Sequence, residues 1–229
     1  MSGVEPTTRG PYRTGILRRQ QIVAAAAEAF AARGYDGASL RQIAADAGIS
    51  AAALLRHFER KEDLLAAVLE WWSGQTAAIT DEGDNGLAVF ARLGEVMRYH
   101  TRNRGLLELF VRLTGEATHD GHPARAFVQN RYANLVATLT TRLVTAAGAG
   151  EVAPVTRSQA DAEVRYLCAV MDGLEIQWLL NPGVDLVGLF DQHLAATLAR
   201  WKAGSWSPSP SATRPARAGT AATTPSRTP

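Results

Sequence analysis

Few residues in this sequence could carry out a reaction. Its five histidines are His57, His100, His119, His122 and His193, and only His119 and His122 lie close together. With Asp120 between them and Gly121-Pro123 beside them, they read as an interhelical loop. A metal site in a helical bundle needs Glu-x-x-His pairs inside it, so no metal site is expected. The single cysteine, Cys168, sits among Leu167, Val170 and Met171. No basic neighbour lowers its pKa, and it reads as a small buried hydrophobe. One cysteine also excludes a disulfide framework or thiolate cluster within the chain. No nucleophile–base motif, P-loop or dinucleotide glycine pattern occurs, so neither a catalytic residue nor a cofactor is expected.

The sequence does hold hydrogen-bond donors suited to a polyanion. Residues 1–61 carry nine Lys/Arg against five Asp/Glu, a net +4, whereas the remainder sums to −2. That asymmetry suggests a polyanion-binding module on a mildly acidic scaffold. Within the basic third, the stretch SLRQIAADAGISAAALLRHF runs from Ser39 to Phe58. Ser39 with Gln42 makes a capping box, and Gly48 accepts the positive φ of a sharp turn. Ser50 then caps a third short helix, ending near Phe58. Leu40, Ile43, Ala44, Ala47, Ile49, Leu54 and Phe58 interlock in this reading, the alanines letting two helices cross closely. This is the sequence form of a helix-turn-helix, whose second helix enters the DNA major groove.

The elements around this hairpin are all helical. Apolar residues recur at helical spacing between Gly, Pro and Asn, and no alternating run argues for a strand. The spacing predicts about nine helices, over 16–33, 39–47, 50–58, 61–80, 87–101, 106–117, 123–147, 156–180 and 184–201, in an all-α fold. Residues 1–15, with Arg9 and Arg13, read as a disordered basic arm, and 203–229 as a disordered tail. The hydrophobic share of 46% excludes a disordered chain as a whole. No leader and no bilayer-length apolar run is seen, so no membrane partner and a cytoplasmic location are expected.

A long helix ending at Gly34-Tyr35, then Ser39, the hairpin, His57-Phe58 and Lys61-Glu62-Asp63-Leu64 resembles the N-terminal domain of the TetR (tetracycline-repressor-like) family. The likeness is dense over Arg18–Leu69. Beyond that it rests on helix number and order, and on Met171-Asp172-Gly173-Leu174 through Trp178. The resemblance implies a helix-turn-helix domain at 16–60 and a ligand-binding and dimerisation domain at 61–202. It implies a homodimeric transcriptional regulator, usually a repressor, released from a palindromic operator in double-stranded DNA by a small molecule. It places Ser39, Arg41 and Gln42 beside the DNA. Ser50, Ala51, Ala52, Leu55 and Arg56 fall on the recognition helix, His57 at its end, and Lys61 against a phosphate. Three positions depart from the family: Ala51 stands where a polar or basic residue is common, Leu55 where Tyr is, and Arg60 where a helix cap is. Direct readout is then thin, resting on methyl contacts to thymine and on Arg41 or Arg56 to guanine.

Two further expectations concern the body. Trp72, Phe90, Met97, Phe110, Phe127, Tyr132, Met171 and Trp178 supply an aromatic and methionine-rich set that could line a pocket for a largely apolar ligand. His100, Asn134, Glu175 and Gln177 could orient it. Over 163–198 the helices carry more than one apolar stripe, which assigns Leu167, Val170, Leu174, Leu189, Leu194 and Leu198 to a dimer interface. The rival reading is a helical-bundle enzyme or small-molecule carrier whose N-terminal hairpin is structural.

Overall fold

The computed structural model describes residues 11–80, 86–122 and 124–207. The described residues form α-helices and no strand: α1 Pro11–Gly37, α2 Leu40–Asp46, α3 Ala51–Leu55, α4 Lys61–Thr80, α5 Ala88–Ala91, α6 Leu93–Arg102, α7 Arg104–Glu116, α8 Arg125–Gly148, α9 Arg157–Leu180 and α10 Leu186–Ala203. The segment expected over 87–101 is divided at Arg92, which is why nine expected helices become ten. The all-α class stands.

Local signals explain most boundaries. Ser39 Oγ accepts from the Gln42 amide and Ser50 Oγ from the Ala53 amide, so both serines are N-caps. Gly34 leaves the helical conformation at φ +70, ending the straight part of α1 where a stop was expected. Beyond the kinked end of α1, two boundaries differ from expectation by three residues or more. α1 is already helical at Pro11, the first described residue, five residues before the expected start. α3 stops at Leu55, since Phe58 must turn inward to pack. The expected arm over 1–10, the loop over 81–85 and the tail from 208 lie outside the described residues.

Two cores divide the packing. In the first, Ile22, Ala26 and Phe30 of α1 meet Ile43, Ala44, Leu54 and Phe58 of the hairpin, Leu64 and Val68 of α4, and Leu107 and Phe110 of α7. Leu40, Ala47 and Ile49 are half-buried around it. The second gathers Phe90, Met97, Leu139, Leu143, Val164, Phe190 and Trp201 from α5, α6, α8, α9 and α10. Gly105 brings α7 against α1; a Cβ there would lie 2.5 Å from the Ala31 carbonyl oxygen. Arg104 ties the same end of α7 to α9, donating to the Leu179 carbonyl at 2.8 Å and lying over the Trp178 ring.

The first residues expected in the disordered tail are instead fixed. Gly204 caps α10 in the left-handed conformation, and Trp206 stacks on Trp201 while donating to the Pro154 carbonyl. Glu163, buried on α9, accepts from Arg200, Trp201 Nε1 and the Ser207 amide. A buried carboxylate with that many donors anchors the chain leaving α10.

Candidate functional site

The α2–α3 hairpin turns at Gly48, where φ is +65. One side of it is the first core. Away from that core, Ser39, Arg41, Gln42, Ser50, Ala52, Leu55 and Arg56 are each exposed, with Leu55 47% accessible despite its apolar side chain. Ala51, His57 and Lys61 are half-buried. None of the ten residues expected against DNA is buried.

Their partners differ. The serine oxygens are engaged as caps, leaving each hydroxyl proton to donate outward. Gln42 donates to Asp46 Oδ1 at 2.9 Å, and Arg33 pairs with the other oxygen at 3.2 Å. Those contacts hold the Asp46 carboxyl below the usual range, Gln42 contributing most. Lys61 Nζ lies 4.3 Å above the Tyr35 ring, whose hydroxyl donates to Glu62. Burial first, then Glu62, pushes the Tyr35 phenol up to about 12, so it stays a donor. Arg41 and Arg56 make no side-chain hydrogen bond or ion pair among the described residues. The Arg60 departure also finds its explanation: Asp63 reaches back to the Arg60 amide at 3.1 Å, capping α4 from within.

A cavity of about 590 Å³ lies in the body between α4, α6, α8 and α9. Of the expected ligand residues, His100, Phe127, Asn134 and Met171 line it. Phe110, Tyr132 and Glu175 line a small pocket of about 30 Å³ beside it, which shares His100, Arg131 and Met171. Trp72, Phe90, Met97 and Trp178 line neither, a correction to the sequence reading. Trp72 packs edge-on against His100 and Phe110, and Phe90 against Trp201. Met97 is wholly buried in the second core, Trp178 lies beneath Arg104, and Gln177 faces outward.

Sequence reasoning missed Arg131 and Asp172, which face this region from inside α8 and α9. His100 Nδ1 is 2.6 Å from Glu175 Oε1, and Tyr132 donates to Asp172 at 2.8 Å. Arg131 stacks over Phe110 at 4.5 Å. Burial lowers the Arg131 pKa and raises those of Asp172 and Tyr132. Cys168 borders the same small pocket, its thiol pushed up to about 12 by burial and so unreactive. Their signal was the wide spacing of polar residues along otherwise apolar helices, which periodicity alone reads as a solvated face.

The dimer residues separate as well. Leu167 and Leu194 belong to the chain's own second core and have no side-chain surface for a partner, which corrects that assignment. Val170, Leu174 and Leu198 are half-buried, and Leu189 is 45% exposed. Among the described residues no group of three or more His, Cys, Asp or Glu could hold a metal ion, and no helix is long and apolar enough to cross a membrane.

Two family models match the chain. Residues 22–68 match bacterial regulatory proteins of the tetR family, and residues 89–201 match the C-terminal part of BetI-type transcriptional repressors. The HTH-type transcriptional repressor KstR2 of Rhodococcus jostii is 30% identical over 120 residues, 52% of each chain. The HTH-type transcriptional repressor AcnR of Corynebacterium diphtheriae is 37% identical over 82 residues, 36% of this chain and 39% of that protein. The chain thus spans about half or less of these curated relatives. A TetR transcription regulator from Haloarcula marismortui shares the fold with a TM-score of 0.70 at 20% identity, covering 81% of this chain and 98% of that one. The first model runs from within α1 into α4 and the second from α5 to near the end of α10, and the chain belongs to the TetR family of bacterial regulators.

Proposed function

We propose that this protein is a transcriptional regulator, a repressor that binds operator DNA as a homodimer and is released by a small, largely apolar molecule. The observation that carries the reading is the hairpin face, where hydroxyls, guanidinium groups and a bare apolar surface stand together above a well-packed core. Ser39, Ser50, Arg41 and Lys61 donate to phosphates, and Arg56 reaches either phosphate or guanine. Ala51, Ala52 and Leu55 lie close to thymine methyls. KstR2 and AcnR bear the names of repressors, whereas a third relative, FasR of Mycolicibacterium smegmatis, bears that of an activator, and no part of this reading is catalytic. Its setting is the cytoplasm, where the DNA is.

α4 links the two halves of the mechanism. Its first turns, with Leu64 and Val68, pack in the hairpin's core, while Ser73, Thr76, Ala77 and Thr80 line the cavity. At 1.5 Å per residue such a helix transmits a displacement over about 30 Å. A ligand releases DNA only if it binds better to the arrangement in which the two recognition helices are wrongly spaced. The domain division at residue 60/61 is part of this proposal, with α4 serving both sides.

Retention of genomic duplex fragments over a salt series tests the reading. Log affinity should fall linearly with log salt, and the retained fragments should share a palindrome. Retention of no duplex at low salt overturns it.

A further inference from the structure

Among the described residues lining the cavity, His100 carries a buried nitrogen without a hydrogen-bond partner. His100 is 4% exposed, and its Nε2 has no hydrogen-bond partner among the described residues. Its other nitrogen, Nδ1, is 2.6 Å from Glu175 Oε1. Nδ1–H donates to the Glu175 carboxylate, and in the neutral ring Nε2 then presents a lone pair. An acceptor buried without a donor is unfavourable, and native folds rarely keep one without a use. Arg131, which lines both the cavity and the small pocket, has a long bond of 3.4 Å to Ser73 Oγ, stacks on Phe110 and feels the Asp172 and Glu175 carboxylates.

Charge decides what kind of group fits there. α9 contributes Asp172 and Glu175, α8 contributes Arg131 and Tyr132, and α4 contributes Glu70 at the cavity wall. Arg142, already engaged, lies along α8 on the same cavity. An added anion would meet Glu70 on the cavity wall and Asp172 and Glu175 in the adjoining small pocket, and an added cation would meet the Arg131 guanidinium. A hydroxyl meets neither difficulty. Its O–H can donate to Nε2, while its oxygen can accept from a guanidinium. Val89, Val96, Phe127 and Leu139 make much of the remaining wall apolar.

We propose that the ligand of this cavity is an uncharged, largely apolar alcohol or phenol whose hydroxyl donates to Nε2 of His100. The assignment deepens the sensor reading above and rests on it only for what binding does to DNA.

Four probes of one chain length test it on the full chain: octan-1-ol, octyl methyl ether, octanoate and octyltrimethylammonium. Binding is read by calorimetry and by tryptophan emission, since Trp72 lies 5.3 Å from His100, ring centre to ring centre. DNA retention is read in parallel. The alcohol should bind about tenfold tighter than the ether, which keeps the oxygen but lacks the donor, and tighter than either ion. In His100→Phe the alcohol and ether should bind equally. That variant leaves Glu175 buried without its partner, so His100→Phe/Glu175→Leu, which removes both, serves where the single change unfolds the chain. Equal binding of alcohol and ether to the native protein, or tightest binding of either ion, overturns the hydroxyl assignment and leaves the sensor reading standing. An alcohol preference that disappears in the variants upholds it, and if no probe lowers DNA retention the sensor reading falls alone. Binding of none of the four overturns both.

Discussion

Glu163 shows how much a single buried carboxylate can organise. Its carboxyl titrates at about 2, well below its ordinary value of 4.5, because donors from Arg200, Trp201 and Ser207 outweigh burial, the largest single influence, which acts the other way. A depressed pKa stabilises the fold above the unfolded value and loses that contribution as pH falls from about 4.5 towards 2. Acid unfolding of the native protein should therefore lose on the order of 3 kcal/mol across that window. Glu163→Gln should flatten the slope and cost about 2 kcal/mol at neutral pH, both measured by urea denaturation at a series of pH values. On the hairpin face, Lys61→Ala should weaken all duplexes alike and lower the salt slope by about one. Arg56→Ala should relax base preference if its guanidinium reads guanine, or mimic Lys61→Ala if it touches phosphate. Duplex retention unchanged by both substitutions would remove the hairpin from the binding surface.

At the scale of elements, α1 and α7 approach so closely that only glycine fits between them. A Cβ at Gly105 would meet backbone, the Ala31 carbonyl, rather than a side chain able to move aside. Gly105→Ala should therefore push the helices apart and lower stability by about 1–3 kcal/mol. Gly115, near the end of the same helix, stands in open space, with nothing within 4 Å of where a methyl group would sit. Gly115→Ala should cost nothing and can gain a few tenths of a kcal/mol from helix propensity. Chemical denaturation of the pair gives the comparison, and equal midpoints would mean the α1–α7 contact is looser than described. The junction matters functionally because α7 packs in the hairpin's core while Arg104 at its start grips the end of α9.

For the whole molecule, α9 and α10 leave Tyr166 and Leu189 exposed at 49% and 45% beside half-buried Val170, Leu174 and Leu198. Apolar side chains left on two adjacent helices are the surface a second copy would cover. Sedimentation at micromolar concentration should show a dimer. Tyr166→Glu/Leu189→Glu should give a folded monomer with much weaker operator retention, because two half-sites about 34 Å apart can no longer be engaged together. A native monomer at that concentration counts against the dimer.

The reach of the sequence follows the range of the forces involved. Capping by Ser39 and Ser50, the turn at Gly48 and the stop at Gly34 act within four residues, so the hairpin and its exposed polar face were legible from the chain alone. The all-α class and helix order were legible too, since apolar periodicity is a property of each segment. Which aromatic residues face a cavity was not. Phe127 lines it, whereas Trp72 and Phe90 are packed against other rings, and nothing local distinguishes them. Leu167 and Leu194, read as a dimer face, were claimed by the chain's own core for the same reason. Arg131, Asp172 and the unpaired nitrogen of His100 acquire meaning only once α6, α8 and α9 are brought together. Close packing is a property of several helices at once, and the tertiary structure alone decides where it leaves space.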